Sequence, residues 1–166
     1  MNKRFALVAL ATAGLLALAG CASGQPNSHP RGQQGAVESS ADLSVATSPL
    51  GSILVDSAGM TVYVFDDDTP GADSSACTGE CAALWPAVTT SANAPTVVDI
   101  TGEVGTITGT NGGTQLTLNG LPLYTYRPDV RQGDMTGQGF DGLWWVVSPG
   151  GEKITDPAPP ASPRGY

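Results

Sequence analysis

Between residues 48 and 154 the apolar positions fall in short runs separated by polar, turn-forming stretches. The runs are Ile53-Leu54-Val55, Thr61 to Phe65, Thr106-Ile107-Thr108, Gln115 to Leu118, Leu121 to Tyr126 and Leu143 to Val147. Each is rich in β-branched or aromatic residues, which suit a pleated, half-buried surface. Asn119-Gly120 between two apolar runs predicts a tight hairpin, Asn111-Gly112-Gly113 a second, and Asp56 to Gly59 a slightly longer turn. A mainly β, single small antiparallel domain follows. Helix is expected only near 77–84, where Ala82, Ala83 and Leu84 favour it and Pro86 ends it after a turn or two.

The pattern differs at both ends. Lys3 and Arg4 precede an uncharged, mostly apolar stretch from Phe5 to Leu18 that ends in small residues, the layout of an export signal over residues 1–20. The run is too short for a permanent membrane span. Leu18-Ala19-Gly20-Cys21 resembles the lipobox of bacterial lipoproteins, which implies cleavage before Cys21 and a lipid on its sulfur. Residues 21–47 are Ser-, Gly-, Gln- and Pro-rich and read as a flexible lipidated tether, and 155–166 as a proline-rich disordered tail. The folded part, 48–154, suits one core rather than two.

Charge and histidine usage then narrow the function. Without residues 1–20 the chain keeps five basic and fifteen acidic residues, a net charge of −10, which opposes nucleic acid and anionic headgroups. Membrane association is therefore expected through the lipid on Cys21 alone. The single histidine, His29, lies in the tether, so histidine triads, histidine-ligated zinc and histidine general bases are excluded from the folded part.

Gly59 to Asp68 aligns without a gap on Gly120 to Asp129, at a constant offset of 61, and Leu84-Trp85-Pro86 recurs near Leu143-Trp144-Trp145. Each half thus holds a hairpin, a Tyr-x-aromatic-x-x-Asp element, a loop and a Trp strand, with repeat one at about 50–102 and repeat two at about 103–151. Tyr63, Phe65 and Asp68 in one copy, and Tyr124, Tyr126 and Asp129 in the other, resemble the predicted lipoprotein family defined by a Yx(FWY)xxD motif, also described as a secreted repeat of unknown function. The resemblance implies an extracytoplasmic address and a repeated fold, and no reaction.

The motif permits two readings. Tyr63 and Phe65 share one strand face and Val62 and Val64 the other, so the strand is covered on both sides. Asp68 and Asp129 follow where the chain turns, and either accept hydrogen bonds from amides of their own turn or act as polar partners of a ligand platform made by Trp85, Trp144 and Trp145. Cys77 and Cys81 are expected to form a structural disulfide outside the cytoplasm. The x₃ spacing and Ala82 where a haem-attaching histidine would stand weigh against redox or haem roles.

Residues 48–102 carry seven acidic side chains and no Lys or Arg. Within them Asp66, Asp68 and Asp73 are a candidate weak calcium site, although their spacing is not that of an EF-hand. No cofactor is expected. Two function classes remain: a non-enzymatic binding or envelope-interaction module for a small ligand, wall polymer or envelope protein, and an envelope enzyme or redox partner using Asp68/Asp129 or Cys77/Cys81.

Overall fold

The computed structural model describes residues 41–157. Cys21, His29, residues 1–20 and the end of the tail lie outside the described residues. Eight strands and one short helix follow in the order β1 (Leu43–Ser48), β2 (Gly51–Asp56), β3 (Tyr63–Phe65), α1 (Glu80–Leu84), β4 (Thr89–Thr90), β5 (Val104–Thr108), β6 (Thr114–Leu118), β7 (Leu121–Pro122) and β8 (Trp144–Val146). All strand ladders are antiparallel: β1 with β2, β3 with β8, and β6 with β4, β5 and β7.

The turns form as their residues dictate. Asn119 and Gly120 both have positive φ, 50° and 79°, the requirement of the mirror-image turn that matches strand twist in a two-residue hairpin. Asp56 caps its turn by accepting from the amides of Ala58 and Met60. Two elements depart from the sequence reading. β1 starts at Leu43, inside the stretch read as tether, and Leu43 is fully buried. Its Ser and Ala positions hide a strand that is held by its partner β2 rather than by its own hydrophobicity. The run Leu121 to Tyr126 keeps regular ladder pairing only at Leu121–Pro122 and continues as single bridges at Tyr124.

The two repeats are interleaved. Around the centre the neighbours run Ala87, Tyr124, Tyr63, Val146, joined by antiparallel pairs Ala87↔Tyr124, Tyr63↔Tyr124 and Tyr63↔Val146. The Trp strand of repeat two, β8, thus completes the sheet of repeat one, and Trp85–Val88 completes that of repeat two. Hydrogen bonds repeat the relation: Asp66 N to Leu143 O at 2.9 Å matches Arg127 N to Leu84 O at 3.0 Å, and Leu54 N to Val147 O at 3.0 Å matches Leu116 N to Val88 O at 2.8 Å. Hairpin β1–β2 corresponds to β5–β6, with Leu54 equivalent to Leu116.

Two apolar clusters cover the central strands. Tyr63, Tyr124, Tyr126, Trp85 and Trp144 lie in one with Ile53, Val55 and Cys77, and Val62, Val64 and Leu123 in the other with Leu43, Leu54, Leu116 and Leu118. The period-two division of the motif strand between two faces is therefore realised.

Candidate functional site

The motif residues meet across the repeats. Tyr63 Oη donates to Asp129 Oδ2 at 2.6 Å, and Tyr124 Oη donates to Asp68 Oδ2 at 2.6 Å. Both carboxylates and both tyrosines are buried. The remaining oxygen of Asp68 accepts from the amide of Ala76 at 2.7 Å, and that of Asp129 from the amide of Thr136 at 2.9 Å and its hydroxyl at 2.6 Å. Each Asp therefore pins the far end of its own loop rather than the amides of the turn it begins. Ser75 Oγ lies 2.6 Å from the Tyr124 hydroxyl. With the Tyr124 proton given to Asp68, Ser75 is the donor there.

Burial dominates the protonation equilibria. It raises Asp68 above the ordinary carboxylate range, against the lowering effect of the Tyr124 hydroxyl and the Ala76 amide. Burial first, and then the adjacent carboxylate, push the Tyr63 and Tyr124 hydroxyls far up, so both remain protonated donors.

Against these pairs packs a column of four rings. Trp85 and Trp144 stack with centroids 3.8 Å apart and planes 1° apart, Phe65 stacks on Trp144 at 4.2 Å, and Tyr126 on Trp85 at 4.1 Å. Tyr63 meets Trp85 edge-on at 5.3 Å and Tyr124 meets Trp144 edge-on at 5.2 Å. The column is symmetric about the contact of the two indoles. The expected ligand platform is corrected accordingly: Trp85 and Trp144 are core, because each ring is enclosed by partners from the other repeat. Trp145 is only half-buried, and its indole N–H donates to Asp66 Oδ2 at 3.0 Å.

The calcium expectation also fails. Among the described residues no three His, Cys, Asp or Glu side chains form a group that could hold a metal. Lys153 Nζ lies 2.8 Å from both oxygens of Asp66, Asp68 is buried against Tyr124, and Asp73 is exposed. Strand alternation and the following turn divide the acidic run among separate tasks. Cys77 and Cys81 form a disulfide. It bridges the end of the first loop to α1, where repeat two has Gly137 and Phe140. A Cβ on Gly137 would stand 2.7 Å from the Trp85 ring.

Two surface grooves occupy equivalent places. One, of about 270 Å³, is lined by Ala46, Ile53, Val55, Gly59 and Gln132. The other, of about 480 Å³, is lined by Ile107, Thr117, Gly120, Asp73 and Glu103 among others. Ala46 corresponds to Ile107, Val55 to Thr117 and Gly59 to Gly120. The first groove is apolar and backs on the aromatic core, whereas the second is larger, mixed in lining and carries the carboxylates of Asp73 and Glu103. Sequence reading missed this second groove; its only trace was the Gly105-Thr106-Ile107-Thr108 stretch, which reads as an ordinary strand.

A sequence model of a family described as a secreted repeat of unknown function matches residues 44–89 and 105–148, one copy in each half. The chain belongs to this family of secreted repeats. The two matched stretches correspond to the two interleaved copies, each with its hairpin, motif strand and Trp strand. No curated protein and no solved structure matches the chain significantly. The family description supports an extracellular address and names no activity.

Proposed function

We propose that this secreted repeat is a lipid-anchored, non-enzymatic binding module on the outer face of a membrane. The observation that carries the reading is the closure of the motif on itself. Its two tyrosines and two aspartates satisfy one another and their loop amides inside the core. Among the described residues no buried side-chain polar atom lacks a partner. A general acid or nucleophile has to reach a substrate atom, and Asp68 and Asp129 are committed to holding the repeats together. Recognition is then left to the surface that this core displays. The anchor rests on the Leu18-Ala19-Gly20-Cys21 run.

Labelling cells with a radioactive fatty acid tests the anchor. Wild-type protein incorporates label, and Cys21→Ser remains unlabelled and keeps its signal segment; label in Cys21→Ser would overturn the lipidated site. Chemical crosslinking on intact cells tests the module. The partner is expected to be recovered chemically unaltered, and turnover of it by the purified domain would overturn the non-enzymatic reading.

A further inference from the structure

We infer that the acidic groove beside β5 binds an extended peptide segment carrying basic side chains, added as a strand to the free edge of β5. The inference rests on the binding-module reading and gives that module its site and its ligand class.

The first support is main-chain geometry. Asn119 N donates to Glu103 O and Gly109 N to Gly113 O, which fixes the pairing parity of the hairpin. The main-chain groups of Gly105 and Ile107 therefore face β6, and those of Val104, Thr106 and Thr108 point outward. Among the described residues none of these outward groups has a hydrogen-bond partner. An unpaired strand edge is a template for another extended chain.

The second support comes from the other repeat. Leu43 occupies in β1 the place of Val104 in β5, and its outward groups are taken by an extended segment: Leu43 N donates to Thr96 O, Val98 N donates to Leu43 O, and Leu43 pairs in parallel with Val97. The equivalent edge in repeat one therefore pairs, at this position, with an extended segment.

The third support is charge. Asp73 and Glu103 flank the groove and no Lys, Arg or His lines it. The turn that carries Asp73 is held in place by Gly71 N donating to Gly120 O at 3.0 Å, so the wall is fixed. Gly120 has to be glycine there: a Cβ would stand 2.6 Å from Gly71 N. A second copy of this edge would set acid against acid, whereas Lys or Arg at alternate positions of a foreign strand would meet Asp73 and Glu103.

The test uses the full chain and two synthetic peptides of equal charge, Ac-Thr-Lys-Val-Lys-Thr-Lys-Val-amide and the same sequence N-methylated at alternate residues, which cannot donate along one edge. The first should bind at least about tenfold more tightly, weaken with added salt, and shift the amide resonances of Val104, Thr106 and Thr108. Thr106→Pro removes an outward N–H that the ladder does not use, which edge strands tolerate, and should abolish that preference. Asp73→Asn with Glu103→Gln should weaken binding and flatten its salt dependence. Equal binding of the two peptides would overturn strand addition without needing any variant. Shifts confined to another surface, or no binding, would overturn the groove as the site. The lipid-labelling result is independent of all these outcomes, and a partner crosslinked elsewhere on the domain would keep the module and discard the groove.

Discussion

Tyr63 and Asp129 are 66 residues apart in the chain and 2.6 Å apart in space, and Tyr124 and Asp68 repeat the relation in reverse. Each copy of the motif is therefore completed by the other. The tyrosine of one repeat satisfies the aspartate that closes the opposite loop.

Removing one hydroxyl should show this directly. Tyr63→Phe and Tyr124→Phe each withdraw a donor from a buried carboxylate, at a cost of about 1–3 kcal/mol. Tyr124→Phe should cost more, because Asp68 keeps only the Ala76 amide whereas Asp129 keeps both Thr136 donors. The midpoints of urea unfolding at unchanged slope measure both.

A single repeat should not fold. Residues 41–102, which keep β1 and β2, still lose β8, the Trp144 ring and the Asp129 partner together. Circular dichroism of that fragment should show no cooperative melt; a sharp transition would mean that the repeats are independent domains.

The Cys77–Cys81 bridge closes a five-residue loop. On the chain-entropy model it stabilises by about 2 kcal/mol. Cys77→Ala with Cys81→Ala should lower the unfolding free energy by that order and leave the fold intact, because Gly137 and Phe140 manage without a bridge in repeat two. Mature protein should show no alkylation of either thiol before reduction.

Asp68 provides a test in pH. Its folded pKa is raised by burial, so the protonated form is favoured in the fold and its contribution is fully present below the ordinary value of 3.8. That contribution is lost as pH rises through the raised folded value. Asp68→Asn removes the titration, so the stability of wild type relative to the variant should increase as pH falls through this window. Parallel stability curves for the two proteins would contradict the assignment.

Strands, turns and the repeat were legible because their signals are local. Asn119-Gly120 requires a tight hairpin, and Tyr63-Val64-Phe65 alternates between two buried faces. β1 was hidden because Ser44, Ala46 and Ser48 carry little hydrophobic signal and the strand depends on pairing with β2. The offset of 61 revealed two copies, yet not that they exchange Trp strands, since alignment of a repeat with itself says nothing about which copy each element joins. For the same reason Trp85 and Trp144 read as a surface platform. Their enclosure depends on the rings stacked on them, Tyr126 on Trp85 and Phe65 on Trp144, each supplied by the opposite copy. The acidic groove was invisible because its wall, Pro70 to Asp73, is brought to β5 by one long-range hydrogen bond, Gly71 to Gly120.

The exchanged strands also bear on what joining the copies in one chain accomplishes. Carried on separate chains, identical copies would have to meet as a two-fold homodimer, and their folding would depend on protein concentration. The covalent connection replaces that encounter with an intramolecular one at an effective concentration in roughly the millimolar range. It also releases the halves from strict identity. One hairpin can then line its groove with Ile53 and Val55 and merge with the aromatic core, while its counterpart keeps Thr117, an open edge and two carboxylates at the surface, a division of labour closed to a symmetric pair.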